Sequence, residues 1–142
     1  MQPIGKLSKV TGVKVPTIRY YEEIGLLKPA ERSSGNQRLY DKAAYERLSF
    51  IRHARALGFS LEDIRDLLVM ADQPQQSCAA VDAIARRQLA QVQARIARLT
   101  LLEAELARML GQGPHHHIGA CRVIEVLGDH GLCQHGHDDL VP

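Results

Sequence analysis

The chain has 142 residues, room for one compact domain or for a small domain plus one long element. Its composition, 45% hydrophobic and 24% charged, is that of an ordinary folded protein. No apolar run approaches the roughly 20 residues needed to cross a bilayer, and the opening MQPIGKLSKV lacks the apolar core of a signal peptide, so a cytoplasmic protein with no membrane partner is expected. Charge is unevenly placed: residues 1–60 hold 11 Lys/Arg against 5 Asp/Glu, a net of +6, while the remainder nets −4. That asymmetry points to a polyanion partner for the first half alone.

Residues 3–11, PIGKLSKVT, predict a short helix with Ile4, Leu7 and Val10 on one face, punctuated by Gly12. KVPTIRYYEEIG predicts a second helix, with Pro16 tolerated in its first turn and Gly25 ending it. Two short helices around a tight glycine turn make a helix-turn-helix candidate. Pro29 and the turn Ser33-Ser34-Gly35-Asn36, flanked by Arg32 and Arg38, suit a small β-hairpin, or wing. Asp41 is placed to N-cap a helix over about residues 42–57, with Leu48, Ile51 and the following Phe59 facing a core and Gly58 closing it. Ser60 to Asp63 resembles a capping box and opens a helix carrying Ile64, Leu67 and Leu68.

DQPQQS (72–77) breaks the pattern. From Cys78 to Leu110 there is neither Gly nor Pro, and Val81, Ala85, Leu89, Val92, Ile96, Leu99, Leu102, Leu106 and Met109 recur at spacings of three and four. That is a coiled-coil stripe on a helix about 50 Å long. All six aromatic residues lie between Tyr20 and Phe59, so the second half has no large ring with which to build a globular core. Its aliphatic stripe is most simply covered by a second copy. GQGPHHHIGAC (111–121) reads as a loop, RVIEVLGDHG as a short helix, and the remainder as a polar tail.

The second helix is unusually rich in arginine and tyrosine. Arg19 offers a bidentate fork to a guanine edge or a phosphate, and the Tyr20 hydroxyl reaches phosphate oxygens. Neighbouring helical residues point about 100° apart, so Tyr20 and Tyr21 cannot serve the same face, and Tyr21 is expected to be partly structural. Lys14 and Thr17 from this helix, with Arg32, Asn36, Arg38 and Tyr40 from the wing, complete the expected DNA-facing set.

These motifs carry a family resemblance. TIRYYEEIGLL, the spacing R-x(5)-R-x-Y at Arg32, Arg38 and Tyr40, and IRHARALGFSLEDI resemble the DNA-binding half of MerR-type transcription regulators, and the likeness covers about residues 3 to 125. It implies a mainly α fold: a winged helix-turn-helix DNA-binding domain over 1–71, a linker turn and antiparallel coiled-coil dimerisation helix over 72–111, and a metal-binding loop, short helix and His/Cys-containing tail over 112–142. It also implies a homodimer on double-stranded promoter DNA, with RNA polymerase as partner, activating by distorting operator DNA.

Three cysteines in a reducing compartment fit a disulfide framework poorly and are available as metal ligands. In an antiparallel dimer the start of one long helix lies beside the end of its partner, which would bring Cys78 of one subunit to the loop before Cys121 of the other. The resemblance places cysteine at position 78 in the branch that senses divalent metals. Many heavy-metal members carry a further cysteine before the one that Cys121 matches; here His115, His116 and His117 stand in that stretch. Imidazoles beside two thiolates favour Zn(II) over the softest ions, with Cd(II) or Pb(II) also accommodated. Cys133 is a further candidate ligand, and His135 and His137 lie in the same tail. A regulator responding to Hg(II), to thiol oxidation or to an organic ligand stays open at this point. An enzyme does not fit, because no carboxylate or base stands beside the Cys/His cluster to serve an open metal position.

Overall fold

A computed structural model describes residues 1–111 and 117–132 of the chain. They divide into two compact units, Met1–Ile84 and the residues from Ala85 onward. Among the described residues no helix is long and apolar enough to cross a membrane.

The first unit opens with β1 (Gln2–Pro3), α1 (Ile4–Thr11) and α2 (Val15–Glu23). The turn between the helices belongs to Gly12, at φ 77°. A Cβ there would stand 2.9 Å from the Arg52 guanidinium carbon, the movable end of a long side chain, so it is the left-handed backbone that calls for glycine. Pro16 sits in the first turn of α2, where a missing N–H costs nothing. Gly25, at φ 80°, ends α2, and the Leu26 N–H turns back to the Tyr21 carbonyl at 2.9 Å.

Next come β2 (Glu31–Arg32) and β3 (Arg38–Tyr40), paired antiparallel with Arg32 opposite Arg38. The turn between them holds Asn36 at φ 63° and is closed by Ser33 N–H to the Gln37 carbonyl at 2.8 Å. The hairpin is the expected wing. It is one strand wider than expected, because β1 pairs with the other edge of β3, Gln2 opposite Tyr40.

The remaining helices of this unit start at side-chain caps. Asp41 accepts from Ala44 N–H at 2.9 Å and opens α3 (Lys42–Ala56); Ser60 accepts from Asp63 N–H at 3.0 Å and opens α4 (Leu61–Ala71). The core gathers one face of each helix: Leu7, Ile18, Tyr21, Leu48, Ile51, Ile64 and Leu68, joined by Leu26 and Leu27. Full burial of a side chain such as Ile18 contributes about 2 kcal/mol. Val10, expected on the inner face of α1, is half exposed, and the inward position falls to Thr11. Thr11 is four residues beyond Leu7 and hides its hydroxyl by donating to the Leu7 carbonyl at 2.7 Å.

The helix α5 (Ala79–Leu110) runs unbroken for 32 residues. Leu89, Ile96, Leu99 and Leu106 are each more than half exposed. This is the apolar stripe read in the sequence, left open along the single chain. Met109 departs from that reading: it is buried within its own unit, together with Glu105 and Val126. After α5, the 3₁₀ turn Ile118–Ala120 leads into α6 (Arg122–Gly128) and a second 3₁₀ turn, His130–Leu132.

Candidate nucleic-acid interface and metal ligands

The fold presents α2 and the wing together. Ile18 and Tyr21 face inward. Lys14, Arg19 and Tyr20 are therefore turned outward, and Thr17 is half buried. Tyr20 is 47% exposed and Tyr21 only 8%, their ring centroids 6.2 Å apart, so Tyr21 is the structural one of the pair and Tyr20 is turned to solvent. Two arginines hold the far end of α2. Arg47 Nε donates to the Leu26 carbonyl at 2.7 Å, and Arg65 Nη2 to the Ile24 carbonyl at 2.5 Å. Cations at those carbonyls stabilise a helix C-terminus and fix its direction.

Arg19 of α2, Arg32 of β2 and Arg38 of β3 converge with Ile4 and Gln37 on one open cleft of about 440 Å³. Arg32 is additionally tied to the wing turn, donating to the Asn36 carbonyl at 3.1 Å, and Asn36 itself is exposed. A larger cavity of about 570 Å³ opens beside Leu27, Phe50 and Ala71. Of the candidate DNA residues only the buried Tyr40 lines it.

Tyr40 corrects the sequence reading. It is 2% exposed and belongs to the core, and its hydroxyl donates to Glu22 Oε1 at 2.5 Å rather than standing free for a phosphate. Burial first, and then the hydrogen bond to Glu22, push its pKa up to about 12. The second oxygen of Glu22 lies 3.7 Å from Arg38 Nη1, with the Glu22 side chain 11% exposed. Neither Glu22 nor Gln37 was singled out from sequence. Glu22 follows Ile18 by four residues and so shares its inward face, a signal that its charge concealed.

The metal candidates divide. Cys78 and Cys121 are free thiols, the first exposed and the second half buried. Each precedes a helix and accepts its first backbone hydrogen bond, Cys78 from Asp82 N–H at 2.8 Å and Cys121 from Glu125 N–H at 3.0 Å. The Cys121 sulfur makes no capping hydrogen bond. His117 is exposed, directly before the 3₁₀ turn that leads to Cys121. His115, His116 and Cys133 lie outside the described residues. Among the described residues, no three His, Cys, Asp or Glu side chains of the single chain come together as a metal site.

Comparison with known proteins gives the context. Residues 3–70 match the family described as MerR HTH family regulatory protein, and residues 45–109 the one described as MerR, DNA binding. The HTH-type transcriptional regulator ZntR of Escherichia coli K12 is 40% identical over 130 residues, covering 89% of this chain and 92% of that protein. The crystal structure of the transcription regulator PbrR691 from Ralstonia metallidurans CH34 in complex with lead(II) is 38% identical, with a TM-score of 0.74 over 89% of this chain and 99% of that one. The structure of MerR from Bacillus megaterium MB1 with mercury(II) is 29% identical, with a TM-score of 0.66 over 89% and 99%. With family models matching residues 3–70 and 45–109 and a 40% identical regulator covering 89% of its length, the chain belongs to the MerR family of HTH regulatory proteins.

Proposed function

We propose that the protein is a metal-responsive transcription regulator that binds promoter DNA as a homodimer and takes a divalent metal ion, Zn(II) foremost, as its signal. The convergence of Arg19, Arg32 and Arg38 on one cleft carries the reading. Cations gathered at an open surface attract a polyanion, and a duplex presents closely spaced phosphates. Lys14 and Tyr20 extend the same surface, and Arg19 is the side chain best placed to reach a base edge.

The dimer rests on α5, whose open leucine and isoleucine stripe is what a second copy would cover. In the antiparallel pairing that the family resemblance implies, Cys78 of one subunit would meet Cys121 of the other, with one or more of His115, His116 and His117 as further ligands and Cys133 of the tail as an additional candidate. Two free thiols and imidazole suit a four-coordinate Zn(II) site, and Cd(II) or Pb(II) are the next fits. The bound cation would draw the thiolates and imidazoles of two subunits onto one centre and so order the segment that leads into α6. RNA polymerase is the further partner the resemblance implies, and the cytoplasm is the compartment in which these thiols stay reduced.

The test is a titration of the purified apo-dimer with Zn(II), Cd(II), Pb(II), Hg(II) and Cu(I), read both as metal bound per dimer and as transcription from the chain's own promoter. Zn(II) is expected to bind stoichiometrically and to activate at the lowest free concentration. Activation by an oxidant without metal, or metal binding that leaves transcription unchanged, would sink the proposal.

A further inference from the structure

We propose that Glu22 is a positioning residue of the DNA-binding surface, its buried carboxylate holding the inner edge of Arg38 so that the rest of the guanidinium faces the cleft shared with Arg19 and Arg32. The inference rests on the reading of that cleft as a DNA interface and assigns a role within it to an acidic side chain.

An acid on a helix that approaches a polyanion is a liability unless it is hidden and matched. Glu22 is both. Its side chain is 11% exposed, and its two oxygens are divided between two wing residues: Oε1 accepts from the Tyr40 hydroxyl at 2.5 Å, and Oε2 lies 3.7 Å from Arg38 Nη1. Arg38 Nη1 is itself buried, and the Glu22 carboxylate is the negative charge beside it. The remainder of the Arg38 side chain, 33% exposed, lines the cleft. A guanidinium on a flexible stem would otherwise lose rotamer freedom on binding, and a partner that fixes it beforehand lowers that cost. The same carboxylate joins α2 to β3 through Tyr40, so the helix and the wing keep one spacing. Glu23, the neighbouring acid, is exposed and has no such arrangement.

The test uses the full-length dimer and a mixed-sequence DNA duplex, because phosphate contacts are independent of sequence. Affinity is measured against salt concentration for wild type, Glu22→Gln, Arg38→Ala and the double variant. Gln keeps an acceptor for the Tyr40 hydroxyl and removes the charge. Loss of one phosphate contact per subunit makes the log–log salt slope of the dimer shallower by about 1.8 and weakens binding by roughly tenfold per subunit at 0.1 M salt. Glu22→Gln is expected to approach the Arg38→Ala slope, and the double variant to be no worse than Arg38→Ala alone. If Glu22→Gln instead tightens binding equally with and without Arg38, Glu22 is only a repelling charge and the proposal is overturned. Additive losses overturn it too. Should Glu22→Gln fail to fold, Glu22→Asp, which keeps the charge on a shorter stem, is expected to give the shallower slope only where Arg38 is present, and an unchanged slope overturns the role. Arg19→Ala separates the two levels. If Arg19→Ala and Arg38→Ala both leave affinity unchanged, the DNA interface itself is misplaced; if they weaken it while Glu22 shows no coupling to Arg38, only the role of Glu22 fails.

Discussion

Arg108 Nη2 donates to the Leu132 carbonyl at 2.5 Å, joining the last turns of α5 to the end of the segment that follows α6. The same guanidinium pairs with Glu105, whose side chain is 4% exposed, through Nη2 at 2.5 Å and Nε at 3.2 Å. An acid so deeply buried is tolerated because the arginine compensates it. Arg108→Ala is expected to destabilise the second unit by roughly 3 kcal/mol, and replacing both residues with leucine to recover much of the loss. Amide hydrogen exchange near residue 132 should rise in Arg108→Ala. Chemical denaturation with unchanged midpoint would contradict the pairing.

The two adjacent tyrosines should separate stability from DNA binding. Tyr21, in the core, is expected to cost about 3 kcal/mol or more of folding stability on truncation to alanine. Tyr20→Ala should change stability by no more than about 0.5 kcal/mol while weakening operator binding. Thermal unfolding and fluorescence anisotropy on the same two variants check this. Equal stability losses would mean that Tyr20 is also structural.

Much of the first unit was legible because its punctuation is local. Pro16 and Gly25 bracket α2, Asp41 and Ser60 open α3 and α4, and Asn36 turns the wing; each acts through its own backbone or its own side chain. What escaped depends on contacts remote in sequence. Gln2–Pro3 is too short to announce a strand and becomes one only by pairing with β3. Tyr40 lies opposite Gln2 in that pairing, so residue type puts a tyrosine beside a basic wing in the DNA-facing set while the sheet turns it to the core. Thr11 was passed over for Val10 because periodicity favours the apolar residue, although a threonine that bonds the carbonyl four residues back buries readily. At the arginine-lined cleft, residue type points to Arg19, Arg32 and Arg38, but only the fold brings in Gln37 and sets Glu22 beside Arg38. The candidate metal ligands are less legible still, since Cys78 and Cys121 stand in different stretches of the sequence.

Tyr40 gives the unit a dependence on alkaline pH. Its folded-state pKa, raised to about 12 by burial and by the bond to Glu22, exceeds the ordinary value of 10.0. The folded state therefore holds the phenol proton more tightly than the unfolded chain does. The contribution to stability is fully present below pH 10 and is lost as the pH rises through about 12. Tyr40→Phe, lacking an ionisable group, should be less sensitive over that window in urea denaturation. Parallel declines for the two proteins would show that the hydroxyl is not the source.

Sharing of the metal site between subunits can be read by complementation. Cys78→Ser and Cys121→Ser each remove one thiolate from every site if each site draws Cys78 from one subunit and Cys121 from the other. Each variant is then expected to bind operator DNA as wild type, because neither residue lies near the arginine-lined cleft in sequence or in its lining. Each should bind Zn(II) at least about a hundredfold more weakly, as expected when a ligand is removed from a closed four-coordinate site. Mixing the two variants and allowing subunits to exchange produces heterodimers in which one site has both cysteines and the other has neither. Tight Zn(II) binding at half the wild-type stoichiometry in the isolated heterodimer, with partial recovery of transcription, is the expected result. If both ligands came from one chain, no subunit in the mixture would hold an intact pair, and the heterodimer would bind no more tightly than its parents. Recovery of metal binding without recovery of transcription would separate the site from the switch and place the requirement for activation on both sites of the dimer.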